Sequence, residues 1–378
     1  DFATWLQDAA RDAAAAAVKA ARGHDKTIGS TSRLADFLAG DNLAKLRAAW
    51  EASGAAGRYS PAKIKAMATR LRRATKSARA RIEISGDVAP ADVDRFVEAH
   101  ARVSPAVFEN VVATPANFDE LQHARIAIVN GAVDAHPDAA LFGNALERGA
   151  FDQRTWAEVQ GVYTHKTHRA ITGTIEHGRH VSDGRLQGTA IHELGHAVDD
   201  RIGALADPTF KNQQHLSARA RWRRLYEGAV ADDARFSDLF EGDPGYFLQE
   251  GHTGPSEAFA ETFEMYYEKR AHLRKHAPEF AEYFDEFEAG MTRARDEGIM
   301  DYQARRRIAA WADDAAVHTD ADDLDVSSNA LILARQRHAA RGGTLPRRPE
   351  SADGLTIGDG RPQFDSDRDP EPEPADEL

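Results

Sequence analysis

The sequence predicts an α+β, mostly helical fold, and three observations carry that expectation. Short β-branched or aromatic runs bounded by Gly, Asn, Asp and His stand at 126–129, 161–163 and 171–175, enough for one small sheet. Helical segments interleave with them. The most regular is an amphipathic pattern from Leu186 to Ile202, preceded by an Asp183-Gly184 turn and followed by Gly203 as a C-cap candidate. On either side of this mixed stretch the pattern is helical only. At 378 residues the chain is long enough for two or three domains at roughly 100 to 200 residues each.

Residues 1–104 form a basic helical N-terminal region, punctuated by Gly23, Gly29-Ser30, Gly40-Asp41, Gly54, Gly57 and Ser60-Pro61, with nothing that alternates like a strand. Ser60 before Pro61 is an N-cap with proline at the first helical position, and Ile64, Met67 and Leu71 then follow at helical spacing. Between Arg58 and Arg81 lie Lys63, Lys65, Arg70, Arg72, Arg73, Lys76 and Arg79 with no acidic residue. Such a face is either solvated or a patch for nucleic acid or an acidic partner, with Lys63, Arg70, Arg72, Arg73 and Lys76 as its candidates.

Residues 105–294 are the mixed region, and Phe280, Tyr283, Phe284 and Phe287 within it have the helical spacing of a core stripe. Residues 295–342 read as a helical extension burying Ile308, Ala309 and Trp311, then Leu331, Ile332 and Leu333. Beyond Gly343 ten acidic residues stand against four arginines among repeated Pro, Gly and Asp, which predicts a disordered acidic tail over 343–378. The Asp-rich run at 320–325 fails as a calcium loop, having Asp325 where the turn needs glycine and Leu331 where the bidentate glutamate belongs.

Composition removes several chemistries. With no cysteine, thiolate nucleophiles, disulfide frameworks and Cys-ligated metals are excluded, so any metal must sit on His and carboxylates. Lys plus Arg number 48 against 61 Asp plus Glu, a net charge of -13 that disfavours polyanion binding by the molecule as a whole. No stretch approaches the roughly 18 to 20 consecutive apolar residues of a membrane span. The chain begins at Asp1 without a charged-then-apolar leader, as expected for a piece of a longer or processed polypeptide.

His192-Glu193-Leu194-Gly195-His196 matches H-E-x-x-H. On a helix the two histidines, four apart, project from one face and can bind one zinc, with Glu193 beside them. Zinc lowers the pKa of a bound water to about 7, and a neighbouring carboxylate can take its proton and pass it to a leaving amine. Gly195 offers a small residue where this helix passes close to another element. A catalytic zinc needs a third ligand and one open position. The best source is Ser256-Glu257-Ala258-Phe259-Ala260-Glu261-Thr262-Phe263, where Phe259 and Phe263 share one helical face and Glu257 and Glu261 the opposite one. His165, His168, His177 and His180 flank the expected strands, as exposed or satisfied side chains, as the lining of a cleft edge, or as a second metal site.

The combination of His192-Glu193-Leu194-Gly195-His196-Ala197-Val198-Asp199-Asp200 with Ser256-Glu257-Ala258-Phe259-Ala260-Glu261 some 60 residues later resembles the family of the anthrax lethal factor catalytic domain and the clostridial Pro-Pro endopeptidases. The resemblance implies a zincin-like metallopeptidase domain of gluzincin type over 105–294. It implies Zn2+ on His192, His196 and Glu257, Glu193 as general base and acid, Glu261 supporting a ligand from behind, and a protein or peptide substrate. The family also uses a tyrosine seven residues before the glutamate ligand to stabilise the oxyanion. Glu250 stands there in this chain, and Tyr246 and His252, in the loop 243–255, are the remaining candidates, neither at the family's spacing. A secreted or delivered bacterial or phage toxin or effector fits the resemblance. The alternative is a structural or nucleic-acid-associated, virion-type protein whose zincin domain is degenerate or maturational.

Overall fold

The computed structural model describes residues 61–117, 123–141, 155–165, 167–203, 215–232, 236–237, 239–240, 244–249, 251–299, 301–313 and 321–341. The helices expected before residue 60, Glu250 and the tail 343–378 lie outside the described residues. The chain is α+β and mostly helical. Helices α1 (Pro61–Arg79), α2 (Pro90–Arg102) and α3 (Pro105–Val111) precede most of the sheet, with strand β1 (Ile82–Ser85) between the first two. Proline begins all three, where its missing N–H costs nothing and its fixed φ suits the first turn.

Four strands form one sheet in the order β1-β2-β4-β3, with β2 at Arg125–Val129, β3 at Gly161–Thr164 and β4 at Arg169–Gly173. β1, β2 and β4 run parallel, and β3 lies antiparallel on the edge beside β4. The centre is apolar on both faces. Ile126 and Ile128 join the main core, while Ala127, Val129 and Ile171 join a smaller cluster with Val133 and Val159 on the other side. The short hairpin of β5 (Ile175–Glu176) and β6 (Arg179–His180) turns through His177 and Gly178, both at positive φ, as a tight hairpin requires.

After the hairpin come α4 (Asp183–Gly203), α5 (Ala220–Ala231), a single helical turn at Pro244–Phe247, α6 (Thr253–Glu268), α7 (Arg270–His276), α8 (Pro278–Asp296), α9 (Asp301–Asp313) and α10 (Ala321–Ala340). α4 packs on the sheet with one side and along α6 with another. Where α4 and α6 cross, a Cβ on Gly195 would lie 2.9 Å from the Ala260 Cα, so the close approach depends on glycine. Trp222 of α5 fills the far side, fully buried, its ring 4.8 Å from Phe259 and 5.3 Å from both Phe280 and Tyr283. The expected aromatic stripe of α8 is core. Among the described residues no helix is long and apolar enough to cross a membrane.

Four expectations need correction. A strand does occur before residue 104: β1 is a four-residue edge strand, too short to show alternation, and its parallel register with β2 (Ile82 opposite Ile126, Ser85 opposite Val129) is a non-local contact. The run 171–175 does not form one strand, because Gly173 approaches Gly131 too closely for any side chain and the chain bends at Thr174. Gly203 lies within α4 and not beyond it; its Cβ would sit 2.3 Å from the Leu216 nitrogen, so glycine there serves close packing of the 215–216 segment. Finally, Leu331 packs partly against the core, but Ile332 and Leu333 are 50% and 53% exposed. Successive helical residues point about 100° apart, so three in a row cannot share one face, and Ala334 takes the next buried position.

Candidate metal centre

The H-E-x-x-H segment lies in the middle of α4, a 21-residue helix. The His192 and His196 rings sit 5.0 Å apart at 78°. Both Nε2 atoms converge on one carboxylate oxygen of α6: His192 Nε2 is 3.4 Å and His196 Nε2 3.2 Å from Glu257 Oε2. Zinc–ligand bonds of about 2.0–2.1 Å in a tetrahedron separate the ligand atoms by about 3.3–3.4 Å. The donor set therefore fits zinc in type and spacing. The three residues offer ligand atoms that all lie within 4.8 Å of one another.

Each imidazole is oriented from behind. His192 Nδ1 lies 3.4 Å from Glu261 Oε2 and 3.9 Å from Glu264 Oε2. His196 Nδ1 lies 3.3 Å from Ser256 Oγ, and that hydroxyl donates to Asp199 Oδ2 at 2.9 Å. With the Nδ1 protons engaged, the Nε2 lone pairs face the centre. Asp199, fully buried, also accepts from the Ser217 amide and hydroxyl at 2.7 Å each.

Electrostatics mark the same spot as a cation site. Burial opposes charge on His192, yet the Glu257 and Glu261 carboxylates override it and hold the imidazole well above its usual range; His196 is raised in the same way, by Glu257. Glu257 is likewise disfavoured by burial but held below the carboxylate range by the two histidines. Protons on the imidazoles thus stand where a metal cation would give the same compensation. Glu193 differs. It is 6% exposed, and burial raises its pKa, the direction that makes a carboxylate a better proton acceptor near neutrality. Gly161 on edge strand β3 leaves the room it occupies: a Cβ there would come within 2.4 Å of Glu193 Oε1.

His192, Glu193, His196, Glu257 and Glu261 therefore come together as one group. His252, at the start of α6, does not join it. Its ring lies 4.3 Å from that of His215, tilted by 31°, and its Nε2 lies 3.5 Å from Ser217 Oγ and 4.0 Å from Asp199 Oδ2, behind the Ser256–Asp199 link. Tyr246 packs edge-on against Phe247 and lies against the main core. On α1, Arg70, Arg72, Arg73 and Lys76 are exposed and make no ion pair with a described residue, while the Lys63 side chain lies outside the described residues. Sequence reasoning missed Asp199, Ser256, Glu264 and Gly161 as parts of the site. Helical offsets of three from His196 and from Glu261 could have flagged Asp199 and Glu264; Gly161 is brought in by tertiary packing alone.

Comparison with known proteins matches residues 97–287 to the family described as anthrax toxin lethal factor, N- and C-terminal domain. The lethal factor of Bacillus anthracis is 31% identical over 100 residues, which is 25% of this chain and 10% of that protein. The matched segment thus spans about a tenth of that relative's length.

Proposed function

The chain belongs to the anthrax toxin lethal factor family, and from that premise we propose that it is a zinc-dependent endopeptidase with His192, His196 and Glu257 as ligands and Glu193 as general base and acid. The observation that carries the proposal is the meeting of two Nε2 atoms on Glu257 Oε2 at tetrahedral spacing, with a buried carboxylate of raised pKa beside them. When bound, zinc lowers the pKa of a coordinated water to about 7 and polarises the scissile carbonyl. Glu193 takes the proton from the attacking water and carries it to the departing amine. Ser256 and Glu261 hold the imidazoles in the tautomer that presents Nε2. Edge strand β3 brings Gly161 against Glu193, so an extended peptide lying along that strand would pass the base. A toxin or effector acting on a protein substrate is the setting the family supports.

The test uses the full chain, stripped of metal, reloaded with zinc and incubated with a peptide library. Wild type is expected to cleave. Glu193→Gln keeps the volume but cannot accept the proton, so turnover falls by about 10²–10⁴-fold at unchanged zinc content. Equal turnover removes Glu193 as the base, and a Glu257→Ala variant that keeps full zinc occupancy moves the third ligand elsewhere, Glu261 first.

A further inference from the structure

The face of α4 that presents His192 and His196 continues toward the helix C-terminus through Asp199 and Asp200, at offsets of seven and eight from His192. A second group of metal-ligating side chains gathers there. His165, from the turn between β3 and β4, Asp200, from α4, and His215, where the described chain resumes before α5, offer ligand atoms that all lie within 4.8 Å of one another. His165 Nδ1 is 3.7 Å from Asp200 Oδ2, and the His165 and His215 rings meet at 5.5 Å, nearly perpendicular. Nothing in the peptidase chemistry uses these residues.

We propose that His165, Asp200 and His215 form a second site for a divalent transition-metal ion, zinc foremost, separate from the His192–His196–Glu257 group. Two imidazoles and one carboxylate suit zinc, cobalt or nickel, and not magnesium or calcium, which take oxygen ligands. Each member has an available lone pair. The Nδ1 of His215 is buried without a hydrogen-bond partner among the described residues, an expense that a metal ligand would offset. Burial pushes that imidazole down to about 4, so it is neutral and ligand-competent at pH 7. Burial opposes charge on Asp200 too, but Arg201, His165 and His168 hold it well below the usual carboxylate range, so it is ionised. Tyr163, His168 and Arg201 all bond its Oδ2, and its Oδ1 accepts no hydrogen bond from a described residue. His165, with 38% of its side chain exposed, gives an ion a way in from solvent.

The neighbouring set Asp199, His215 and His252 is the poorer choice. Both Asp199 oxygens are already occupied by Ser217 and Ser256, which tie that carboxylate to the orientation of His196. His168 completes the Asp200 site. It is held at a φ of +47°, unusual for a residue with a side chain, and its Nδ1 lies 3.3 Å from Asp200 Oδ2.

Counting ions tests the proposal without any activity assay. The full chain is stripped with a chelator and titrated with zinc, the bound ions are counted by elemental analysis after dialysis, and cobalt is substituted to read ligand-field absorption at each site. Wild type is expected to hold two ions, His165→Ala one, His192→Ala one, and the double variant none. His215→Ala should match His165→Ala, but His165 carries the test because its exposure makes its replacement benign to folding. Two ions retained by His165→Ala would overturn the second site, as would a single ion in wild type that His165→Ala keeps. A single ion lost in His165→Ala but kept in His192→Ala would uphold the second site and remove the first.

Discussion

Two polar groups share one face of α4, and they solve the problem of buried charge differently. Among the described residues no arginine or lysine lies at hydrogen-bond distance from Glu257, and its carboxylate is answered there by the two imidazoles of His192 and His196. Around Asp200 the chain supplies its own cation: Arg201 Nη2 lies 2.7 Å and Nε 3.0 Å from Oδ2, with the Tyr163 hydroxyl at 2.6 Å. Removing water from a carboxylate is costly unless a cation or several donors replace it. On the proposed reading the first group leaves that role to an added ion, whereas the second already has the Arg201 guanidinium beside it. An ion bound as proposed at Asp200 is therefore expected to bind more weakly than one at Glu257.

The largest effect that separates the two is on stability. Asp200→Ala removes the carboxylate that faces the buried Arg201 guanidinium and is expected to destabilise the fold by about 3–5 kcal/mol, read by urea denaturation of the zinc-free protein. Glu257→Ala, measured the same way, should change stability far less, because it removes a carboxylate whose partners are two imidazoles that can lose their protons. Equal losses would show that both carboxylates are structural and would break the contrast.

Next comes the base itself. Gly161→Ala places a methyl carbon 2.4 Å from both Glu193 Oε1 and Thr189 Cγ2, and since the Glu193 carboxylate is the more flexible neighbour, it is expected to move. Cleavage should fall by about 10–100-fold with zinc content intact, consistent with the sensitivity of proton transfer to small displacements. Ser256→Ala acts on the other property of this group. It cuts the link from His196 Nδ1 to Asp199 and should weaken zinc binding by about 10-fold, the lower end of what such outer hydrogen bonds contribute. The ion at Asp200 should be unaffected, and a matching loss there would mean that the two groups act as one.

The first group was legible in the sequence because its parts repeat at helical spacing: His192 with His196, Glu257 with Glu261, and Phe259 with Phe263 opposite. Gly195 at a close helix crossing was legible for the same reason. The second group was legible only in part. His165 and His168 were visible as histidines beside strands, but their carboxylate, Asp200, stands some 30 residues later on another element, and His215 later still. Only the packing of α4 against β3, β4 and the 215–216 segment joins them. β1 escaped notice on similar grounds, since four residues carry too little pattern and its parallel partner lies more than 40 residues away. Local periodicity is written in the sequence, whereas parallel pairing and clusters drawn from three elements are decided by tertiary contact.

The smallest expected effect concerns α1, where the charge logic of both groups is reversed: the exposed cations Arg70, Arg72, Arg73 and Lys76 stand without carboxylate partners among the described residues, whereas Arg79 pairs with Asp94. Replacing Arg70, Arg72, Arg73 and Lys76 together by Gln should change stability by only about 0.5 kcal/mol or less, as for exposed side chains away from packed features. Truncation at residue 104 would be a poor substitute, because it removes β1 and α2 from the sheet and from α4. If the face contacts nucleic acid, wild-type affinity in a gel-shift titration falls steeply between two salt concentrations, and the fourfold variant loses that slope. The net charge of -13 opposes such binding, so the expected outcome is weak retention at low salt and none near physiological ionic strength. Tight binding at physiological salt that the variant abolishes would assign α1 to nucleic acid, and tight binding that the variant keeps would place the contact on another surface. Peptide cleavage and zinc content should be the same in both proteins, which keeps this face separate from the two groups on α4.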